Sequence, residues 1–160
     1  MSKAPYWFED FSPGTRFETE GATITESSIL DFAFRFDPQP FHLDAEAARA
    51  SIYGGLIASG FQTLITAFRL WHGLRVMNPS SQGSPGMDEV RWLQPVRPGD
   101  TIHVEAEVIE ARASVSRPQL GIVTFRFEVF THRGVKVMSW TSVSLCLRRP
   151  ENRPPETLET

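Results

Sequence analysis

The chain has 160 residues, of which 41% are hydrophobic and 22% are charged, and it contains 12 Phe and 4 Trp. This composition is typical of one folded globular domain, and it argues against disorder and against two independent catalytic domains. The formal net charge is −3, from 16 basic and 19 acidic residues. The chain therefore lacks the positive field that holds a polyanion, and we do not expect a nucleic-acid partner.

The N-terminal third is predicted to contain an arm, a strand and a helix. Residues 1–14 are rich in Pro, Gly and aromatic side chains and are expected to form an N-terminal arm. Loose alternation over 15–25 predicts a weak first strand. Apolar residues at helical spacing then predict a short helix over 27–36, with Thr25 or Ser27 as its N-cap.

Proline residues divide the next segment. The two prolines within residues 37–40 predict a rigid loop, because proline lacks an N–H and disfavours the helical conformation in its predecessor. Asp44 is expected to cap a short Ala-rich helix over 45–51. The longest helical signal covers 59–77, about 28 Å of helix at ~1.5 Å per residue, and is expected to end at Asn78-Pro79.

The second half of the chain is rich in strands. Four strands are predicted, over 87–93, 102–108, 123–129 and 135–147. One long apolar helix and a long antiparallel sheet predict an α+β domain over 15–149, in which the sheet wraps the helix. Apolar residues on both faces of the last strand favour self-association. Residues 150–160 are predicted to be a flexible tail.

The single cysteine and the absence of long apolar runs suggest a location. Cys146 alone cannot form an internal disulfide or a CxxC metal site, which fits a reducing compartment. The N-terminal residues lack the apolar core of a signal peptide, and no stretch approaches the roughly 18 consecutive apolar residues of a membrane span. We therefore expect a cytoplasmic protein without a membrane partner.

Asp37 and His42 are the first candidate catalytic residues. They lie five residues apart across two prolines, a stiff spacer that lets both side chains converge on one small molecule or water. Histidine, with a pKa of about 6.5, can give and take protons near neutral pH, and a neighbouring carboxylate orients the ring and stabilises its cation. The spacing alone is equally compatible with a structural role, in which Asp37 caps a turn and His42 is hydrogen-bonded locally.

Ser59 and Gly60 open the longest predicted helix. If Ser59 is the N-cap, the Gly60 N–H is one of four amides without an intrahelical acceptor. Such an amide lies at the positive end of the helix dipole and can stabilise an oxyanion, and glycine lets a substrate approach the backbone. Considered alone, Gly60 is better explained by tight packing.

Three segments together carry a resemblance to a known family. They are Asp37-Pro-Gln-Pro-Phe-His42-Leu-Asp44, Tyr53-Gly-Gly-Leu-Ile-Ala-Ser-Gly60 and Val90-Arg-Trp-Leu-Gln-Pro-Val-Arg-Pro-Gly-Asp100. In this order they resemble the MaoC-like acyl dehydratases, whose best-known members are (R)-specific enoyl-CoA hydratases, and the resemblance covers residues 15–148. It implies a hot-dog fold, a homodimer or higher homo-oligomer, an acyl-CoA substrate at the subunit interface, and no metal or redox cofactor.

The resemblance also implies roles for individual residues. Asp37 and His42 occupy the positions of the hydratase pair, and the Gly60 N–H that of the donor to the thioester oxygen. Further candidates for substrate contact are Phe41, Gly55, Ser59, Arg91 and Arg97. The two arginines are candidates for the CoA phosphates, the alternative being ordinary surface arginines.

Three positions depart from the family pattern. Ser59 stands where many members have His, and Gln39 stands where the catalytic loop commonly has Asn. Phe68 falls where some hydratases have Ser on the helix. The acid/base pair is unaffected by these changes, whereas the acyl pocket is altered.

The expected function is the reversible hydration of a 2-enoyl-CoA to a 3-hydroxyacyl-CoA; the (R) configuration rests on the resemblance alone. A hot-dog thioesterase is one alternative, but it would need an Asp or Glu on the long helix, and residues 61–77 contain neither. A non-catalytic acyl-CoA-binding subunit is another, and the intact Asp37–His42 pair argues against it. A metal site of Asp37, His42 and Asp44 is a weak candidate, because Asp44 is better used as a helix cap.

Overall fold

A computed structural model describes residues 6–154 of the chain. Its helices are α1 (Glu26–Phe36), α2 (Pro40–Leu43), α3 (Ala45–Ala50) and α4 (Gly60–Gly73). Its strands are β1 (Arg16–Glu18), β2 (Ala22–Thr23), β3 (Gly86–Trp92), β4 (Thr101–Ala113), β5 (Leu120–Thr131) and β6 (Lys136–Leu147). Single 3-10 turns lie at Phe8–Asp10 and Pro150–Asn152.

These strands form one antiparallel sheet. The strand order is β1-β4-β5-β6-β3, and β2 pairs with β4 beside β1. The register shifts once in the β3–β6 pair, between Asp88 and Arg91, and once in the β4–β5 pair, between Val108 and Glu110. Such irregularities bend strands and increase their twist. Strand β3 lies at one edge of this sheet.

Helix α4 packs across one face of the sheet through an aromatic layer. The Trp71 ring centroid lies 5.2 Å from those of Phe125 and Phe127 on β5 and 5.6 Å from that of Phe17 on β1. Trp140 on β6 stacks on Phe127 at 4.6 Å. Each large apolar side chain that is fully buried contributes about 1.5–3 kcal/mol, so this layer fixes α4 against the sheet. The predicted α+β architecture is confirmed.

The predicted N-caps of α1 and α3 are confirmed. The Thr25 hydroxyl accepts a hydrogen bond from the Ser28 amide at 3.1 Å and so caps α1. The Asp44 carboxylate accepts from the amides of Glu46 and Ala47, at 2.8 and 3.1 Å, and caps α3. These contacts depend on residues that are adjacent in sequence, which is why the sequence alone indicates them.

The predicted extent of the longest helix was wrong. Helix α4 ends at Gly73, well before Asn78-Pro79, and Arg75 adopts a left-handed conformation with φ of 55°. Glycine is a poor helix former, and the chain turns after it, so that Val76 and Met77 are buried in the core. Their apolar character continued the helical pattern although the helix itself had ended.

Two other local predictions were incomplete. The segment 15–25 forms two short strands rather than one, because the Thr19 hydroxyl accepts the Val104 amide hydrogen at 2.9 Å where the ladder is interrupted. The loop after Pro38 contains a single helical turn, α2, which begins at Pro40. Proline is favoured at the first helical position because its fixed φ suits the helix and its missing N–H has no role there.

The boundaries of the N-terminal arm and the C-terminal tail stay predictions, and residues 1–5 and 155–160 lie outside the described residues. Within the arm, Phe11 is buried, and its ring lies 5.5 Å from that of Phe125. Asp10 accepts a hydrogen bond from Arg149 at 2.6 Å, which brings the two ends of the described chain together. No helix within residues 6–154 is both long enough and apolar enough to cross a bilayer.

Candidate active site

The Asp37 carboxylate is held at both oxygens. Asp37 is the C-cap of α1, and its amide donates to the Ala33 carbonyl at 3.0 Å, while Pro38 prevents the helix from continuing. Its Oδ1 accepts from Gln39 Nε2 at 2.8 Å, and its Oδ2 accepts from the Ser59 hydroxyl at 2.7 Å. The orientation of the carboxylate is therefore fixed from two sides.

His42 lies on α2, is only 4% exposed, and faces Asp37. Its Nδ1 lies 2.8 Å from the Ile57 carbonyl oxygen. Because a carbonyl can only accept, this contact assigns the proton of the neutral ring to Nδ1. The Nε2 lone pair then faces Asp37 Oδ2, 3.4 Å away. The site presents two neighbouring proton acceptors.

The charge state of Asp37 follows from its surroundings. Burial raises the pKa of Asp37, but the hydrogen bonds from Ser59 and Gln39 and the nearby His42 lower it, so that the pKa lies below its ordinary value. Hydrogen bonds donated to a carboxylate favour its charged form. Asp37 is therefore ionised at neutral pH and presents a negative charge beside His42.

Gly60 is the first residue of α4, and its amide has no intrahelical acceptor. Ser59 is the N-cap, and its hydroxyl accepts from the Phe61 amide at 3.2 Å. The Trp92 indole lies against Gly60: a Cβ added there would be only 2.4 Å from Trp92 Nε1. Tight packing against the indole thus favours glycine at this position, and the same packing leaves the positive end of the helix next to the Asp37–His42 pair.

A cavity of about 380 Å³ joins these groups. Its polar wall contains Asp37, His42 and Gly60. Most of the remaining wall is apolar or aromatic, and includes Phe41, Tyr53, Ile57, Phe61, Trp92, Leu93, Pro95, Val96 and Val137. A largely apolar pocket with a few convergent polar groups is typical of a small-molecule site.

The structure brings some of the predicted site residues to the cavity and not others. Phe41 lines it together with Asp37, His42 and Gly60. The residues that do not line it are Gly55, Ser59, Arg91 and Arg97. Ser59 is fully buried, at 0% exposure, and its hydroxyl contacts Asp37. Ser59 therefore contacts Asp37 from the protein interior and does not face the cavity.

Both predicted arginines have intramolecular partners. Arg97 donates to the carbonyl oxygens of Tyr53 and Gly55, at 2.5 and 3.5 Å, and so supports the loop that carries Tyr53 to the cavity. Arg91 is exposed on β3 and pairs with Glu89 at 3.0 Å. Their contact with CoA phosphates stays a prediction.

Several cavity residues were missed at the sequence level. Trp92 and Val137 come from β3 and β6, and Thr63 comes from the first turn of α4. Trp92 lies inside one of the three family-like segments, which was a usable signal, but it was not singled out. Val137 had no local signal, because only the packing of the sheet against α4 brings it to the site.

Two other concavities have different chemistry. One, of about 360 Å³, lies between β1, β4 and β5, and in it Glu107 accepts from both Arg16 and Arg126. The other, of about 100 Å³, is apolar and contains Phe68 and Trp71 of α4. Neither contains a counterpart of the Asp37–His42 pair.

The geometry disfavours the metal interpretation. Asp44 Oδ1 caps α3 and accepts from two backbone amides, so this carboxylate oxygen is already used. Within residues 6–154 no three His, Cys, Asp or Glu side chains are grouped in a way that could hold a metal ion. The Asp37–His42 pair, the helix amide and the apolar cavity are the chemically distinctive features of the site.

Comparisons with known proteins agree on one family. A family model described as a MaoC-like domain matches residues 10–128. The MaoC-like dehydratase from Rhodospirillum rubrum, a solved structure, is 41% identical with a TM-score of 0.83, and the match covers 91% of this chain and 99% of that one. The uncharacterized protein YdeM of Bacillus subtilis (strain 168) is 32% identical over 129 residues, which make up 81% of this chain and 90% of YdeM.

More distant structures share the fold. The R-hydratase PhaJ1 from Pseudomonas aeruginosa is 22% identical with a TM-score of 0.68, and the match covers 95% of this chain and 96% of that one. Another matching structure is described as a double hot-dog fold. The α+β architecture with one long helix against one antiparallel sheet is thus the hot-dog fold.

Proposed function

The chain belongs to the MaoC-like dehydratase family, and on this premise we propose that it catalyses the reversible hydration of a 2-enoyl-CoA to a 3-hydroxyacyl-CoA. One observation carries the proposal: His42 Nε2 and Asp37 Oδ2 lie 3.4 Å apart on the wall of an apolar cavity, beside the first amide of α4. Family membership supports a hydratase or dehydratase reaction in general. The (R) configuration is proposed from the family alone.

The pair suits the activation of water. Nε2 and Oδ2 are both acceptors, so each can take one hydrogen of a single water molecule and leave an oxygen lone pair free. As this oxygen bonds to Cβ of the enoyl group, Nε2 removes one proton, and the Asp37 anion stabilises the imidazolium that forms. A positioned acid/base group of this kind typically contributes ~10²–10⁴-fold in rate.

The electrons of the double bond move to the thioester oxygen. The Gly60 N–H lies at the positive end of α4 and stabilises this enolate oxygen. When the enolate collapses, Cα takes the proton from His42 Nε2 and the ring returns to its neutral form. Water has then been added across the double bond with no net change in the protein, and the proposed reaction requires neither a metal nor a redox cofactor.

Exposed apolar residues next to the cavity support a homodimer. Phe61, Ile65 and Phe68 recur at i, i+4 and i+7 along one side of α4 and are about half exposed. Trp92 and Leu93, at the end of edge strand β3, are exposed to a similar degree. A second copy covering this surface would bury it and close the cavity mouth. Light scattering at micromolar concentration should show a species larger than the 18.0 kDa monomer; the monomer alone would contradict the proposed interface.

The thioesterase alternative lacks its required residue. Helix α4, Gly60–Gly73, contains no Asp or Glu that could activate water from the helix side. His42, by contrast, is buried, its ring is oriented by the Ile57 carbonyl, and it faces a carboxylate, an arrangement that a purely ligand-binding subunit would not need.

A cytoplasmic location remains our proposal and is supported by the single free thiol, Cys146.

The experiment is an acyl-CoA panel. Purified protein is mixed with crotonyl-CoA and with longer and branched 2-enoyl-CoAs, the loss of the conjugated thioester absorbance is followed, and products are identified by mass. A gain of one water is expected on at least one member. Tight binding of acyl-CoA without turnover on any member would instead support a non-catalytic subunit.

A further inference from the structure

The Ser59 hydroxyl connects two parts of the site. Its oxygen accepts from the Phe61 amide at 3.2 Å, and its single proton is donated to Asp37 Oδ2 at 2.7 Å. A hydroxyl has one donor and two acceptor positions, so both bonds form together. Ser59 is fully buried, and so water does not compete for either bond.

The oxygen that Ser59 holds is the one that faces His42. Asp37 Oδ2 is the atom 3.4 Å from His42 Nε2, whereas Oδ1 is held by Gln39. Gln39 is exposed and its amide can be replaced by solvent, but the hydroxyl of Ser59 cannot. The direction of Oδ2 towards the imidazole therefore depends mainly on Ser59.

The same residue starts α4. As N-cap, Ser59 fixes the first turn and so the direction of the Gly60 N–H. Its contact with Asp37 spans 22 residues of sequence and ties the end of α1 to the start of α4. One buried hydroxyl thus sets the relative placement of the carboxylate and the helix amide.

We propose that Ser59 is a positioning residue that aligns the Asp37 carboxylate with His42 and with the first amide of α4. The inference rests on the proposed function, because it assigns these groups to one reaction. Ser59 itself touches neither the cavity nor the reacting atoms. Within residues 6–154, His42 is the ionisable side chain whose charge lowers the pKa of Asp37.

The test uses two variants without the hydroxyl and one control. Ser59→Ala removes both bonds, and Ser59→Gly also removes them but keeps an acceptable N-cap residue, since glycine in this position costs little helix stability. Thr25→Ala is the matched control, because Thr25 caps α1 through a 3.1 Å bond from the Ser28 amide and does not contact Asp37. Ser59→Thr restores a hydroxyl.

Two readouts separate positioning from simple stability. Carboxyl 13C NMR, assigned with Asp37→Asn, gives the pKa of Asp37 without any substrate, and the pH dependence of kcat/KM gives its acid limb. Both Ser59→Ala and Ser59→Gly should raise the Asp37 pKa and the acid limb by about one pH unit, a tenfold change in proton affinity, and should lower kcat at least tenfold. Thr25→Ala should leave both unchanged, and Ser59→Thr should return them towards wild type.

The outcomes distinguish this inference from the proposed function. If wild type turns over an enoyl-CoA but Ser59→Gly keeps the wild-type Asp37 pKa, acid limb and kcat, Ser59 is only a helix cap and the inference is wrong. If wild type turns over no enoyl-CoA, the proposed function fails. The NMR titration then still decides whether Ser59 controls Asp37, because it needs no reaction; an unchanged pKa in both hydroxyl-free variants overturns that coupling as well.

Discussion

Gly60→Ala tests whether the start of α4 is built around the Trp92 indole. A Cβ on residue 60 would lie 2.4 Å from Nε1, 2.5 Å from Cε2 and 2.8 Å from Cδ1 of Trp92, all shorter than real Cβ contacts. Trp92 is 48% exposed, so its ring can move outward, but it then loses its contact with Phe61, at 5.6 Å between centroids. The substitution must therefore displace either the ring or the helix.

The magnitude follows from two opposing effects. Overpacking costs about 1–3 kcal/mol, and replacing glycine by alanine in a helix interior gains at most about 1 kcal/mol, with less at the first position. We expect Gly60→Ala to lower the free energy of unfolding by about 1–2 kcal/mol. Gly73→Ala is the control at the other end of the same helix, where an added Cβ meets nothing within 4 Å, and it should be neutral or slightly stabilising.

A double-mutant cycle isolates the contact. In a Trp92→Ala background the clash is gone, and Gly60→Ala should become neutral or stabilising, which gives a coupling energy of about 1–3 kcal/mol. Urea unfolding followed by circular dichroism measures each free energy, at one fixed protein concentration because association is linked to stability. Equal destabilisation in both backgrounds, or none in either, would refute the packing argument.

Two further predictions concern ionisable groups. The pKa of Asp37 is lower in the folded protein, so its carboxylate adds stability above the unfolded pKa of about 3.9, and this contribution is lost as pH falls through the folded value. The stability gap between wild type and Asp37→Asn, from urea midpoints, should thus shrink as pH falls below about 4; a gap that widens over that range would contradict it. Burial raises the pKa of the Cys146 thiol to about 12, so a disulfide reagent at pH 8 should label it only after unfolding in urea, and rapid labelling of folded protein would show that the thiol is accessible.

Contacts between neighbours in sequence were predictable from the chain alone. The Thr25 and Asp44 caps and the start of α4 at Ser59 follow from short-range hydrogen bonding, which leaves a residue-type signature. The end of α4 was not predictable in this way, because Val76 and Met77 extend the apolar pattern although they reach the core from a turn. The spacing of apolar residues reflects which residues are buried, and residues after the end of the helix are buried as well.

The candidate site likewise contains some contacts that the sequence indicates and others that exist only in the folded structure. Asp37 and His42 are close in sequence, and a stiff spacer predicts their approach; the structure adds that Nδ1 is bound to Ile57, which assigns the free lone pair to Nε2. Trp92 reaches the cavity from an edge strand, and only its place inside one of the family-like segments indicated it. The bond from Ser59 to Asp37 likewise exists only after α1 and α4 have packed, which is why Ser59 was expected to contact substrate.

The central claim is that Asp37 and His42 together add water to an enoyl thioester. The most direct measurement is the turnover of the best enoyl-CoA from the panel by wild type, Asp37→Asn and His42→Ala, with product mass recorded and folding checked by circular dichroism. We expect a product heavier by one water with wild type and a loss of at least ~10²-fold in kcat with each folded variant. A folded variant of either residue that keeps a near-wild-type rate would contradict the account.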